Sequence, residues 1–170
     1  MEDFHISEDS KQKGDEAEFM FKEWLDKHNI PYFYINQDEE SLSPALLDLF
    51  SGKRPDFMIL LPHFGFIFVD VKNRSLHPLY KNYPLDTYET KKYSSIQRRF
   101  NMQIWYAISN REYDYKTWLW VPVSKVMESG ISIYNSSKSK EDFYAVPLDV
   151  FTQIADDDSL DRLFAKSLSS

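Results

Sequence analysis

Arg54-Pro55-Asp56-Phe57-Met58-Ile59-Leu60-Leu61-Pro62-His63-Phe64-Gly65-Phe66-Ile67-Phe68-Val69-Asp70-Val71-Lys72 holds two apolar runs, residues 57–61 and 66–69, on either side of Pro62-His63-Phe64-Gly65. Apolar runs of that length bounded by proline and glycine read as β-strands joined by a turn, so the spacing predicts an antiparallel hairpin. Pairing about the turn puts Asp56, at the start of the first strand, roughly opposite Asp70, at the end of the second. The two-residue period of a strand sends Asp70 and Lys72 to one face and Val71 to the other, into packing. Two carboxylates and an ammonium group therefore meet through local pairing alone.

Facing carboxylates in a half-buried position either share a proton or hold a cation. Magnesium suits them, because it takes hard oxygen ligands and keeps several waters; Asp56, Asp70 and the backbone carbonyl of Val71 supply such ligands, and manganese could substitute. Lys72 cannot ligate while charged. Beside a metal it can orient or help deprotonate an attacking water and offset charge in a phosphorane-like transition state.

Upstream, residues 14–25 read as an amphipathic helix with Ala17, Met20 or Phe21, Trp24 and Leu25 on one stripe. Glu18 lies beside that stripe and can point along the sheet toward the two aspartates. Glu16 is the second choice; Glu16 and Glu23 otherwise read as solvated charges.

Arg54-Pro55-Asp56-Phe57 and Asp70-Val71-Lys72, preceded by Gly14 with Glu18 four residues later, resemble the motifs of the PD-(D/E)xK nuclease superfamily, in particular its Holliday-junction-resolvase-like members. The resemblance runs over about residues 14–109. It implies an α/β fold with a restriction-endonuclease-like αβββαβ core, a mixed central sheet flanked by helices. It also implies metal binding by Glu18, Asp56 and Asp70, catalysis through Lys72, magnesium as the cofactor, and endonuclease-type hydrolysis of DNA phosphodiesters, with RNA a further candidate. One departure stands out: the Gln-x-x-x-Tyr helix motif of RecB-like members is missing after Lys72, and Gln103 and Tyr106 lie three apart in an expected strand.

The length of 170 residues fits one domain, with a core at about 14–125 and a C-terminal extension at 126–170. Cysteine is absent, which removes disulfides, thiolate zinc sites and cysteine nucleophiles. The four histidines have no zinc-site spacing, and with four glycines there is no phosphate-cradling loop. The first residues lack the regions of a signal peptide, and no apolar run reaches bilayer length, so a soluble cytoplasmic protein is the simplest expectation.

A net charge of −7 opposes a phosphate-rich ligand at first sight. Its distribution does not. Residues 1–52 carry 4 basic and 13 acidic side chains, whereas residues 53–116 carry 11 and 6. The motif-bearing middle is thus the basic part, and Arg54, Arg74, Lys81, Lys91 and Lys92 are the candidate nucleic-acid contacts. Two rivals remain: an inactive nuclease-fold module that binds nucleic acid or protein within a larger complex, with a partner protein or a second copy supplying DNA contacts, and an unrelated α/β domain with an ordinary ion-pair cluster.

Elsewhere, strands are expected near residues 30–35, 102–108, 118–123 and 143–147, with short helices at 44–50, 124–130 and 160–168. Residues 1–12 are expected to be loose, and 73–85 to form a loop whose His77, Tyr80 and Tyr83 either stack on bases or pack inward. Residues 87–100 read as a helix capped by Asp86 or Thr87, with Glu89 and Thr90 in its first turn and Tyr93, Ile96 and Phe100 as its core stripe; the resemblance alternatively implies that Lys92, Tyr93 and Gln97 are auxiliary groups beside Lys72.

Overall fold

The computed structural model describes residues 2–35, 38–51, 53–133 and 142–165. A long helix, α1 (Glu2–Lys27), is followed by an antiparallel meander of β1 (Tyr32–Tyr34), β2 (Phe57–Leu61) and β3 (Gly65–Asn73), with α2 (Pro44–Phe50) inserted between β1 and β2. Then come β4 (Asn82–Asp86), α3 (Thr87–Phe100) and β5 (Gln103–Ser109), which returns parallel to β3. The chain continues through β6 (Trp118–Pro122), α4 (Val123–Ser129), β7 (Ile131–Ile133), β8 (Phe143–Pro147), β9 (Thr152–Ile154) and α5 (Arg162–Ala165). Among the described residues the main sheet has six strands in the order β1-β2-β3-β5-β6-β9, and a smaller sheet has the order β4-β8-β7. The order helix, three antiparallel strands, helix, parallel strand is the αβββαβ core with a mixed sheet.

Strand periodicity divides the core into two layers. Phe57, Ile59, Val69, Val71, Trp105 and Ala107 face α1, where Ala17, Phe21, Trp24 and Leu25 form one buried stripe at helical spacing. Ile104, Tyr106, Ile108, Leu119 and Val121 face the other way, against Tyr93 and Ile96 of α3 and Val126 of α4. Each fully buried large side chain contributes about 1.5–3 kcal/mol, so this double layer holds the sheet between its helices.

Several expectations are corrected. The segment 1–12 is helical from Glu2 onward: Lys11 and Gln12 are good helix formers, and Asp9 and Lys13 pair at 3.1 Å across one turn. The loop expected over 73–85 ends earlier, since Asn82–Asp86 pairs antiparallel with β8. Pro84 is tolerated there because β4 is the edge of its sheet, while Tyr83 and Leu85 are buried on one face. Phe100 is 47% exposed and leaves the core stripe of α3 to Tyr93 and Ile96. The last expected helix is a single turn, α5, and residues 166–168 of that expectation lie outside the described residues. The segment expected as an extension supplies β9, which pairs with β6 in the main sheet. Among the described residues no helix is long and apolar enough to cross a membrane.

Candidate functional site

The hairpin register sets Phe57 opposite Val69, which places Asp56 opposite Asp70 one step further along. Asp56 N–H donates to the Val69 carbonyl at 3.0 Å, and Val71 N–H donates to Asp56 Oδ2 at 2.7 Å. Asp56 is therefore locked to the β3 backbone at the point where Asp70 emerges. Burial, reinforced by the charges of Asp70 and Glu18, pushes its carboxyl well above the ordinary range.

Asp70 and Lys72 share the α3 face of β3. Lys72 Nζ lies 2.9 Å from Asp70 Oδ1 and 2.9 Å from Glu89 Oε1. Burial alone would pull the lysine down, but Asp70 and Glu89 outweigh it and raise the lysine above its ordinary value. The other oxygen of Asp70, Oδ2, accepts from Tyr93 Oη at 2.5 Å. Val71 points to the α1 layer, as the strand period requires.

Glu89 and Tyr93 enter from α3, whose first turn is fixed by its cap. Asp86 Oδ1 accepts from Glu89 N–H at 2.6 Å, and Thr90 Oγ1 donates to the Asp86 carbonyl at 2.7 Å. Thr90 Oγ1 also meets Tyr106 Oη at 2.9 Å, and the Tyr106 ring lies 6.0 Å from Lys72 Nζ. Glu89 is 3% exposed, and burial together with the Asp70 charge raises its carboxyl. A glutamate three residues after an N-cap aspartate ordinarily reads as the second half of a capping box, turned back to the cap. Here it turns inward to the lysine, which the sequence signal did not reveal.

Glu18 approaches from α1, in the other layer. Tyr34 Oη donates to Glu18 Oε1 at 2.6 Å, and desolvation, helped by Asp15 and Asp70, raises the Glu18 carboxyl. Glu16, the alternative, is committed elsewhere. It receives both Nε and Nη2 of Arg111 and the Tyr115 hydroxyl, the last at 2.6 Å, and the Arg111 and Tyr115 bonds lower its carboxyl.

Asp70 and Glu89 thus hold one buried ammonium between them, Asp56 and Glu18 lie near enough for the charge of Asp70 to bear on both, and Lys53 Nζ, half exposed, is 4.0 Å from Glu89. Carboxyls crowded in this way either keep their protons, as the raised Asp56, Glu18 and Glu89 do, or hold a cation. Among the described residues no three His, Asp or Glu side chains converge as a ready cage. An oxygen-only aspartate pair at the open end of the hairpin nevertheless fits a hard ion that binds through one or two carboxylates and retains its waters.

The candidate nucleic-acid residues occupy separate positions. Arg54 immediately precedes the hairpin, with Nη1 3.5 Å from the Asp38 carbonyl. Arg74 follows β3 and donates to the Asn73 carbonyl at 2.9 Å. Lys81 is exposed in the loop before β4, Lys91 is exposed on α3, and the Lys92 amine lies 5.9 Å from the Tyr88 ring. Arg111 and Lys116, also basic in this segment, pair with Glu16 and Asp114. Of the loop aromatics, Tyr83 is fully buried against Phe151, whereas Tyr80 is 70% exposed beside His77. Gln103 and Tyr106 both lie in β5, as expected.

The element order and mixed sheet are those of a restriction-endonuclease-like fold, with Pro-Asp at the head of β2 and Asp-x-Lys near the end of β3. No protein-family profile matches the chain, and no curated protein matches it in sequence. Two solved structures are similar in fold. One is a Holliday junction resolvase, Hjc, from the archaeal hyperthermophile Archaeoglobus fulgidus: 16% identity and a TM-score of 0.47, covering 79% of this chain and 96% of that one. The other is a nuclease from a fusselovirus: 10% identity and a TM-score of 0.45, covering 88% of each chain.

Proposed function

We propose that this protein is a divalent-cation-dependent nuclease of the PD-(D/E)xK type that hydrolyses DNA phosphodiester bonds. The observation that carries this reading is the buried cluster in which Asp56, Asp70 and Lys72 meet at the open end of the hairpin, with more carboxylate than ammonium charge. Asp56 and Asp70 would hold magnesium or manganese, with the Val71 carbonyl and Glu18 as further oxygen donors. When bound, such an ion polarises a phosphate oxygen and lowers the pKa of a water.

The chain's own groups do the rest. Lys72 keeps its positive charge where negative charge gathers on the phosphate, its ammonium held by Asp70 and Glu89 at 2.9 Å each. Tyr93 and the Val71 amide fix the two aspartates, so little reorganisation is needed when substrate arrives. Arg54, Arg74, Lys81, Lys91 and Lys92 would contact backbone phosphates and supply affinity that depends on salt.

The test is magnesium-dependent cleavage of plasmid and branched DNA by the purified protein. Activity lost in Lys72→Ala and in Asp70→Ala supports the reading. A wild-type protein that binds DNA with no turnover in magnesium or manganese would instead make this an inactive nuclease-fold module.

A further inference from the structure

Asp70 has two oxygens, and both are engaged: Oδ2 by the Tyr93 hydroxyl at 2.5 Å and Oδ1 by Lys72 at 2.9 Å. A cation can reach Asp70 only by displacing one of these donors or sharing its oxygen. Tyr93 is fully buried beneath α3 and held by packing, so a cation comes in at Oδ1, the oxygen Lys72 holds, and loosens or displaces the ammonium there. A buried ammonium that loses its partner is strongly disfavoured, which by itself would oppose cation uptake.

Glu89 removes that difficulty. Its Oε1 already lies 2.9 Å from the same Nζ, the distance Asp70 offers, and Lys53 at 4.0 Å from Oε2 partly balances it from the solvent side. We propose that Glu89 is a positioning residue for Lys72: it keeps the ammonium in the site when a divalent cation takes its place on Asp70. This rests on the reading of the site as cation-dependent. Glu89 itself binds no ion and touches no substrate. It acts only by giving the displaced lysine a second carboxylate.

That role separates Glu89 from a residue that merely adds negative field. If Glu89 works through Lys72, its removal weakens cation binding only while the lysine is present. Magnesium and manganese are titrated calorimetrically, without DNA, into wild type, Glu89→Gln, Lys72→Met and the double variant Lys72→Met/Glu89→Gln. The double variant buries no unpaired glutamate or lysine, which keeps the comparison open even where one single variant folds poorly. The expected result is that Glu89→Gln weakens cation binding on the order of fivefold in the wild-type background and changes it little in Lys72→Met.

An equal loss in both backgrounds would show that Glu89 acts on the cation directly and overturns the proposal. An unchanged affinity in Glu89→Gln overturns it as well, while leaving the nuclease reading standing. A wild-type protein that takes up neither ion brings down both.

Discussion

Tyr93 Oη donates to Asp70 Oδ2 at 2.5 Å from a ring that is fully buried between α3 and β5, so one side chain serves both the core and the site. Removing the hydroxyl in Tyr93→Phe keeps the packing and leaves a buried carboxylate short of one donor. Hydrogen bonds to charged groups contribute about 1.5–3 kcal/mol, and urea denaturation of Tyr93→Phe is expected to show a loss in that range. A change below a few tenths of a kcal/mol would mean that the contact contributes nothing.

The raised carboxyls fix the direction of a pH effect. Asp56, Glu18 and Glu89 hold their protons more tightly in the folded protein than at their ordinary values of 3.8, 4.5 and 4.5. Between those values and the raised ones, the native state binds more protons than the unfolded chain, so stability falls as pH rises through that window. Glu16 and Asp156, which are lowered, act oppositely and only below their ordinary values of 4.5 and 3.8. Melting in metal-free buffer should therefore give a higher Tm at mildly acid than at neutral pH, with Asp56→Asn flattening the difference. A Tm that climbs steadily to neutral pH in wild type contradicts this.

Glu16 and Glu18 are two residues apart on α1 and have different partners: Arg111 and Tyr115 for the first, Tyr34 and the aspartate cluster for the second. Glu18→Gln should lower magnesium-dependent cleavage at least tenfold, roughly the scale of one lost electrostatic contact at a reacting group. Glu16→Gln should leave cleavage intact and change stability little, as surface ion pairs do. Equal effects on turnover would remove Glu18 from the site.

Gly14 sits inside α1, and a Cβ added there would meet nothing within 4 Å. Helical glycine costs about 0.5–1 kcal/mol relative to alanine, so Gly14→Ala should raise stability by about that amount. The same variant assayed for cleavage reads whether that open space is used by substrate: reduced turnover in a more stable protein would say that it is.

Lys81, Lys91 and Lys92 stand at or near the surface. Alanine at each should weaken DNA binding across sequences and reduce the slope of log K against log salt by about 1 wherever that lysine touches a phosphate. A slope unchanged in all three would place the DNA on another face.

Much of the site is legible before folding because Asp56, Asp70 and Lys72 belong to one hairpin, where register and a period of two decide who meets whom. Glu18 is readable as the flank of a helical stripe. Glu89 is not, because a capping glutamate and a site glutamate have the same local pattern, and only the docking of α3 behind β3 distinguishes them. Tyr93 was expected as core and is core; its hydroxyl's target depends on the β3–α3–β5 crossover, which no short window contains. β4 reads as loop because Pro84 follows the exposed Tyr80 and Lys81, and its pairing partner, β8, lies far along the chain.

The β2–β3 turn has a kinetic consequence. Hairpins close in about 1–10 μs, so the aspartates can draw together early, while the parallel β3–β5 ladder must wait for the α3 crossover. Lys72 arrives with the same hairpin, but Glu89 and Tyr93, the further partners of Lys72 and Asp70, reach them only when α3 docks, making this corner a late-settling and early-loosening unit. Amide exchange in metal-free solution should reveal it: Val71 N–H, bonded to Asp56, should exchange sooner than Tyr106 N–H at the centre of the sheet, and a divalent ion should close the gap.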